Sequence, residues 1–244
     1  MIIFILLLIP IIIILIFNFS HKSFLKKIFN NGSVIVFGKK GSGKDLLFNY
    51  IINTRKEYYS NIPYKKKGCN VIQLHQLSCN LTYEDFINGN YVLSEPVFKE
   101  SVDTFISDAG VYLPSQYDAM LHRKYKSLPV FYALSRHLYQ MNIHSNTQAL
   151  DRLWKALREQ ADYYVKTLGS FKLPFIVVTR FRFFDKYSSA LNDIRPLKRS
   201  LLKGEVGNVH NANVGEIKDG FIIQFKFNIK YNTRYFKELL LKQK

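Results

Sequence analysis

Residues 33–48 read Ser-Val-Ile-Val-Phe-Gly-Lys-Lys-Gly-Ser-Gly-Lys-Asp-Leu-Leu-Phe. Val34, Ile35, Val36 and Phe37 form a short apolar run, mostly β-branched, which predicts a buried strand. Glycines follow at 38, 41 and 43, then Lys44. From there Leu46, Leu47, Tyr50, Ile51 and Ile52 recur at helical spacing. The stretch is thus a strand, a glycine-rich turn and the start of a helix. The spacing Gly38-x-x-x-x-Gly43-Lys44 fits a phosphate-binding loop. Glycines let a backbone turn tightly and aim several N–H groups inward. The helix N-terminus adds partial positive charge, and a lysine at that place can neutralise the β- and γ-phosphates of a nucleotide. Gly38, Lys39, Lys40, Gly41, Ser42, Gly43, Lys44 and Asp45 are the candidate nucleotide-binding residues.

Position 45 departs from the pattern. Asp45 stands where a Ser or Thr normally holds Mg²⁺. An acid beside phosphates repels them unless a cation lies between. Either Asp45 binds the metal itself, or nucleotide binding is weakened.

A chain of 244 residues is long enough for one α/β domain with a sizeable core. Its 20 Phe and 16 Tyr supply large apolar area. The formal charge of +17 favours anionic partners, whether nucleic acid, acidic lipid or nucleotide. Cys69 and Cys79 are the only cysteines, and they have neither zinc spacing nor a C-x-x-C arrangement. They read as reduced thiols of a cytosolic domain.

Met1 to Phe17 is almost wholly apolar, with Pro10 inside it. A membrane-crossing helix needs roughly 20 residues, and about 17 is the lower limit. Asn18, Phe19 and Ser20 extend the run into the interface, so 1–20 is expected to be a transmembrane anchor. No charge precedes it and no small-residue cleavage site follows, which speaks against a cleaved signal. His21, Lys22, Lys26 and Lys27 come next. Positive-inside bias places them, and the chain beyond, in the cytoplasm of a cell whose inner membrane holds the anchor. Residues 21–31 read as a basic linker and 32–244 as the α/β domain, with a strand-rich part at 170–244.

Further along, Tyr58–Tyr64 and Val71–Leu74 predict short strands, and Thr82–Asn88 a short helix. Val102–Gly110 is a buried strand running into Ser107 and Asp108. A carboxylate at such a strand end is where nucleotide hydrolases orient metal or water. Leu128–Tyr139 is expected to be helical and Met141–Thr147 a strand, with Gln148 at its end. Ala149–Lys166 carries Leu150, Leu153, Trp154, Leu157, Ala161 and Tyr164 at helical spacing and is expected to be one amphipathic helix. Phe175–Phe184 and Phe221–Ile229 alternate apolar and polar residues and predict two half-exposed, antiparallel strands. The polar stretch 186–219 reads as loop with one or two short elements, and Tyr235–Leu241 as a closing helix.

Several of these stretches, taken in order, resemble the zonula occludens toxin-like proteins, the assembly and extrusion ATPases of filamentous phages within the FtsK–HerA group of P-loop ATPases. The resemblance runs through Val34–Leu47, Tyr59–Pro63, Phe105–Pro114, Leu134–His137, Thr147–Gln148, Leu157–Tyr164 and Lys230–Phe236. It implies a RecA-like α/β core with a mostly parallel sheet. It also implies Mg²⁺-dependent ATP hydrolysis that drives assembly or export of single-stranded DNA virions. By the same resemblance Gln148 is a polar sensor, and Arg158 or Arg136 of a neighbouring subunit completes the site in a homo-oligomer. Coat or assembly proteins are further implied partners.

Two features depart from that family. It usually has Ser or Thr at position 45 and Asp-Glu ahead of the Ala-Gly, whereas this chain has Asp45 and Ser107-Asp108. The hydroxyl and the carboxylate are exchanged, so Asp45 and Ser107 are expected to hold the metal while Asp108 orients water. Many relatives also carry their membrane span after the ATPase domain. Two other readings stay open: a degenerate P-loop scaffold for phage assembly without turnover, and a host-encoded FtsK/HerA-like DNA translocase.

Overall fold

The strand Val34–Phe37 (β1) divides the molecule into two layers. Val34 and Val36 enter one apolar cluster, and Ile35 and Phe37 enter the other. This alternation is what a strand covered on both faces requires, and it explains why the run is apolar without interruption. The computed structural model describes residues 2–64, 66–77, 98–117, 120, 128–194 and 215–229, without the side chains of 2–11, 75, 76, 117 and 194.

In chain order the main elements are α1 (Ile2–Asn31), β1, α2 (Lys44–Ile52), β2 (Tyr58–Ser60), β3 (Cys69–Val71), β4 (Thr104–Ile106) and the single turn α3 (Ala109–Tyr112). They continue with α4 (Leu128–Tyr139), β5 (Ile143–Thr147), the turn α5 (Lys155–Arg158), β6 (Tyr163–Lys172), β7 (Ile176–Phe184), α6 (Tyr187–Ile194) and β8 (Ile217–Phe225). The strands form one mixed sheet in the order β3-β2-β4-β5-β1-β6-β7-β8. Neighbours from β3 to β6 are parallel. The pairs β6–β7 and β7–β8 are antiparallel. The α/β class with a largely parallel sheet and extra C-terminal strands is therefore present.

Helix α2 and the second part of α1 cover one face of the sheet. Leu25, Ile28 and Phe29 of α1 pack with Leu47, Phe48 and Ile51 of α2 over Val34, Val36 and Phe105. Helix α4 covers the other face, with Phe131 and Tyr132 beside Trp154, Tyr164 and Phe184.

Some expectations need correcting. Residues 21–31, expected as a linker, are the second part of α1, because Leu25 and Phe29 have no exposed surface and are core residues. The helix expected over 149–166 is instead a 3-10 turn at Leu150–Arg152, the turn α5 and the first residues of β6. The apolar positions are buried as expected, but Tyr163–Lys166 pairs with β1 in register Val34↔Tyr163 to Phe37↔Lys166. A central strand lacking a partner on that side would leave its ladder unsatisfied, so sheet pairing overrides the helical spacing. The antiparallel pair of C-terminal strands is present, with Ile176↔Phe225 and Phe184↔Ile217 as its ends. The second strand stops at Phe225, and Phe227 lies in a 3-10 turn. The helices expected at Thr82–Asn88 and Tyr235–Leu241, and Cys79, lie outside the described residues.

The apolar stretch expected to cross a membrane lies within α1, a helix of 30 residues. Among the described residues no helix is long and apolar enough to cross a membrane, and the side chains of 2–11, half of the expected span, are not among them. From Ile12 to Phe17 every side chain is 46–62% exposed, and Phe19 is 76% exposed. Among the described residues, then, none covers a face of the helix there. Contact begins at Asn18 and His21, which accept hydrogen bonds from Ile223 N–H at 2.8 Å and Phe221 N–H at 3.3 Å. These are outward N–H groups of β8, the edge strand, and α1 closes that edge.

Candidate phosphate-binding site

The loop after β1 is shaped by three glycines. Gly41 and Gly43 have φ of 78° and 97°, the left-handed region that glycine enters without a Cβ penalty. Gly38 is needed for a different reason. A Cβ there would stand 2.3 Å from Thr167 Oγ1 and 2.7 Å from the Thr167 carbonyl oxygen. The antiparallel ribbon β6–β7 presses on the loop from that side. Ser42 and Thr167 share a hydroxyl hydrogen bond of 2.5 Å, and Ser170 Oγ donates to the Gly41 carbonyl at 3.2 Å. The turn closes with Ser42 N–H on the Lys39 carbonyl, and α2 begins with Leu47 N–H on the Gly43 carbonyl. Lys44 is buried at the first position of α2, while Lys39 and Lys40 are exposed at the tip.

A cavity of about 480 Å³ opens beside the loop. It runs from Gly41, Gly43 and Lys44 past Ser170 and Val177 to Lys172, Lys226 and Ile229. That volume lies in the range of small-molecule sites. Lys172 and Lys226 add positive charge opposite the loop. The sequence reading missed both, because they belong to β6 and to the turn after β8, and only sheet pairing brings these to the loop.

Two acidic residues flank the end of β5. Strand β5 lies between β1 and β4, so its C-terminal end separates Asp45, which follows β1, from Asp108, which follows β4. Asn146 of β5 bridges them. Its Nδ2 donates to Asp45 Oδ1 at 3.1 Å, and its Oδ1 accepts from the Asp108 N–H at 2.7 Å. Burial pushes the Asp45 carboxyl above its ordinary range and the Asp108 charge adds to this, while Lys44 and Asn146 oppose it. Asp108 itself has φ 51°, a left-handed conformation that only a minority of non-glycine residues adopt. Ser107 is fully buried, and its hydroxyl shares a 2.9 Å hydrogen bond with the Tyr64 phenol. The Asn61 side chain pins the Ser107 backbone, accepting from its N–H at 2.8 Å and donating to its carbonyl at 2.9 Å.

Gln148 lines a small hollow with Asp108, Thr147 and Arg152, so it is brought to Asp108. Arg158 is held elsewhere in its own chain: it donates to the Asp151 carbonyl at 3.0 Å and lies 5.6 Å over the Tyr187 ring. Arg136 is paired with Asp162. Sequence reasoning missed Asn146, Thr167 and Arg152. One signal was present: Ile143-His-Ser-Asn-Thr is unusually polar for a central strand, and all five residues are buried. Buried polar side chains are found where they have bonds to make.

Asp45 at the phosphate loop, with the Asp108 charge near enough to act on it, fits Mg²⁺, which is held by one or two carboxylates together with phosphate oxygens. The mutual repulsion of Asp45 and Asp108 is what a dication between them would relieve.

No family model matches the chain, and no curated protein does. Among solved structures, the genome packaging NTPase B204 of Sulfolobus turreted icosahedral virus 2, in complex with ATP-gammaS, is similar at 14% identity. That match has a TM-score of 0.41 and covers 79% of this chain and 98% of that one. The same NTPase in complex with AMP matches with a TM-score of 0.40 at 14% identity, over 78% and 96% of the two chains. The N-terminal domain of zonular occludens toxin from Neisseria meningitidis has a TM-score of 0.37 at 14% identity, over 63% and 84%. The last bears the name of the group that the sequence resembles. At such low identity and similarity of shape, the site is read from this chain's own residues.

Proposed function

We propose that the chain is a membrane-anchored P-loop ATPase that uses Mg²⁺-dependent ATP hydrolysis to drive assembly, packaging or extrusion of single-stranded DNA phage particles. The observation that carries the ATPase reading is the joining of the Gly38–Asp45 loop to Asp108 through Asn146. The Asp45 carboxylate lies beside Lys44 at the loop, Asn146 ties it to the Asp108 backbone, and the Asp108 charge is near enough to act on it. Gly38–Lys44 hold the phosphates and Lys44 neutralises their charge. Asp45 and Asp108 are the carboxylates for Mg²⁺, which would supply charge neutralisation on the phosphates. Asp108 and Gln148 are placed to accept from and orient an attacking water. Ser107, the third expected donor, already shares its hydroxyl with Tyr64. The seven exposed apolar residues of α1 between 12 and 19 support the anchor, since an apolar helix without a protein-covered face is stable in lipid. The basic charge supports an anionic cargo.

Asp45 favours a second reading. A buried carboxyl at the loop repels phosphates, and a chain that binds nucleotide weakly or not at all would act as a scaffold for phage assembly. The experiment that separates the two is ATP hydrolysis by the full chain in detergent, with and without Mg²⁺ and single-stranded DNA. Turnover that needs Mg²⁺ and is lost in Lys44→Ala is expected. A folded wild-type chain with no turnover and no nucleotide binding by calorimetry moves the assignment to the scaffold. If Asp45→Ser leaves Mg²⁺-dependent turnover unchanged or improved, Asp45 is not the metal donor.

A further inference from the structure

A second cavity, of about 370 Å³, lies on the outer side of α2 where α1 crosses it. Lys22 and Lys26 of α1 form one wall, four residues apart and so on one helix face. Tyr50, Asn53 and Thr54 of α2 form the floor, and Gln224 and Asn228 close the far side. The far wall is fixed: Asn49 and Asn53 both donate to the Asn228 carbonyl, at 3.2 and 2.7 Å. Lys66 adds a third cation, anchored on the Ile52 carbonyl at 2.8 Å. Among the described residues no carboxylate lines this cavity. Lys22 lies 5.6 Å over the Tyr50 ring, and no acidic side chain within ion-pair distance of Lys22 or Lys26 is found among the described residues. Burial and the Lys26 charge push the Lys22 ammonium below its ordinary range, as befits paired cations without a counterion.

Its position narrows the ligand. Phe19, 76% exposed, is the last exposed apolar residue of the stretch, and Lys22 follows it by three residues. At about 1.5 Å per residue, Lys22 lies roughly 5 Å and Lys26 roughly 10 Å beyond Phe19 along the axis. The headgroup layer on each side of a bilayer is roughly 5–8 Å thick. We propose that this cavity is a binding site for the phosphate of an acidic phospholipid headgroup, held between Lys22 and Lys26 at the cytoplasmic end of the anchor. The proposal rests on the membrane-anchor reading. It gives α1 a defined depth and ties the lipid to the wall of the domain through α2, the helix that starts at the phosphate loop.

The test uses the full chain reconstituted into phosphatidylcholine vesicles containing 5% phosphatidylglycerol, followed by gentle detergent extraction and native mass spectrometry of retained lipid. Wild type is expected to retain phosphatidylglycerol enriched at least about fivefold over its share of the bilayer, the order expected for one lysine near the surface. Lys22→Met with Lys26→Met, which keeps the apolar stems, is expected to return it to the bulk share. Lys22→Arg with Lys26→Arg is expected to keep the enrichment. If wild type and the Met variant retain the same share, the site is refuted while the anchor stands. If the chain fails to float with phosphatidylcholine vesicles at all, the anchor fails and the lipid site with it. If inorganic phosphate or glycerol phosphate raises the thermal midpoint of wild type but not of the Met variant, with no lipid enrichment, the cavity is a site for a free anion and the lipid assignment is overturned.

Discussion

Asn146 shows how much one side chain can decide. Its amide has a donor and an acceptor end, and both are used between residues 101 and 38 positions away. Asn146→Ala would leave the part-buried Asp108 N–H without its acceptor and Asp45 without its donor. A buried group left unmade costs about 1–3 kcal/mol. The urea midpoint is expected to fall accordingly, and Mg²⁺-dependent turnover to drop with it. A variant of wild-type stability and turnover would remove Asn146 from the site. Asp108 was legible in the sequence as an acid at a strand end. Asn146 was not, because nothing local distinguishes a bridging amide from any polar residue of a strand.

The relation of α1 to β8 belongs to the scale of elements. Asn18 and His21 are three apart on a helix, and Ile223 and Phe221 are two apart on a strand. These spacings place both acceptors opposite successive outward N–H groups. Asn18→Leu removes one acceptor. Amide exchange at Ile223 is expected to speed by about fivefold, since a net hydrogen bond contributes about 1 kcal/mol. Exchange at Ile222 and Gln224, whose N–H groups face β7, should change little. Equal acceleration along the whole strand would mean that α1 undocks as a unit. The misread region at 149–166 teaches the same lesson from the other side. Leu150, Leu153, Trp154 and Leu157 are buried, as their spacing demands, yet the helix ends within one turn because β1 takes Tyr163–Lys166 as its neighbour.

At the scale of the whole molecule, the buried His144 gives the fold a pH dependence. It is fully buried on β5 and packs against Phe29 of α1 and Phe105 of β4. Its Nδ1 accepts from the Val34 N–H at 3.3 Å, so the proton of the neutral ring is on Nε2, which faces Asp103 Oδ2 at 3.7 Å. That is an electrostatic contact longer than a hydrogen bond. Burial pushes the His144 pKa below its ordinary 6.5, more strongly than Asp103 raises it. The unfolded chain therefore takes up a proton at higher pH than the folded one. Stability is full above about pH 6.5 and falls as pH drops below it, by at most roughly 1.4 kcal/mol per pH unit. The thermal midpoint is expected to be lower at pH 5.5 than at pH 7.5, and His144→Gln to flatten the slope. The comparison isolates this group from Asp45, whose raised pKa acts in the opposite sense. An unchanged slope in the variant would assign the effect elsewhere.

By itself the sequence determined what local chemistry can fix. Periodicity and glycine spacing gave β1, the loop and α2, because a strand buried on both faces must be apolar throughout and a tight turn into a helix needs glycine. Period-two alternation gave β7 and β8. Only the tertiary structure decided the rest. Placing β5 between β1 and β4 set Asn146 between two acidic residues distant in sequence. Pairing of β6 with β1 converted a helical pattern into a strand and brought Thr167, Ser170 and Lys172 against the loop. Packing of Leu25, Ile28 and Phe29 made an apparent linker part of the core. In each case the physical reason is the same: hydrogen-bond pairing across a sheet and burial against a distant element are long-range terms, and they outweigh the local preferences that a sequence displays.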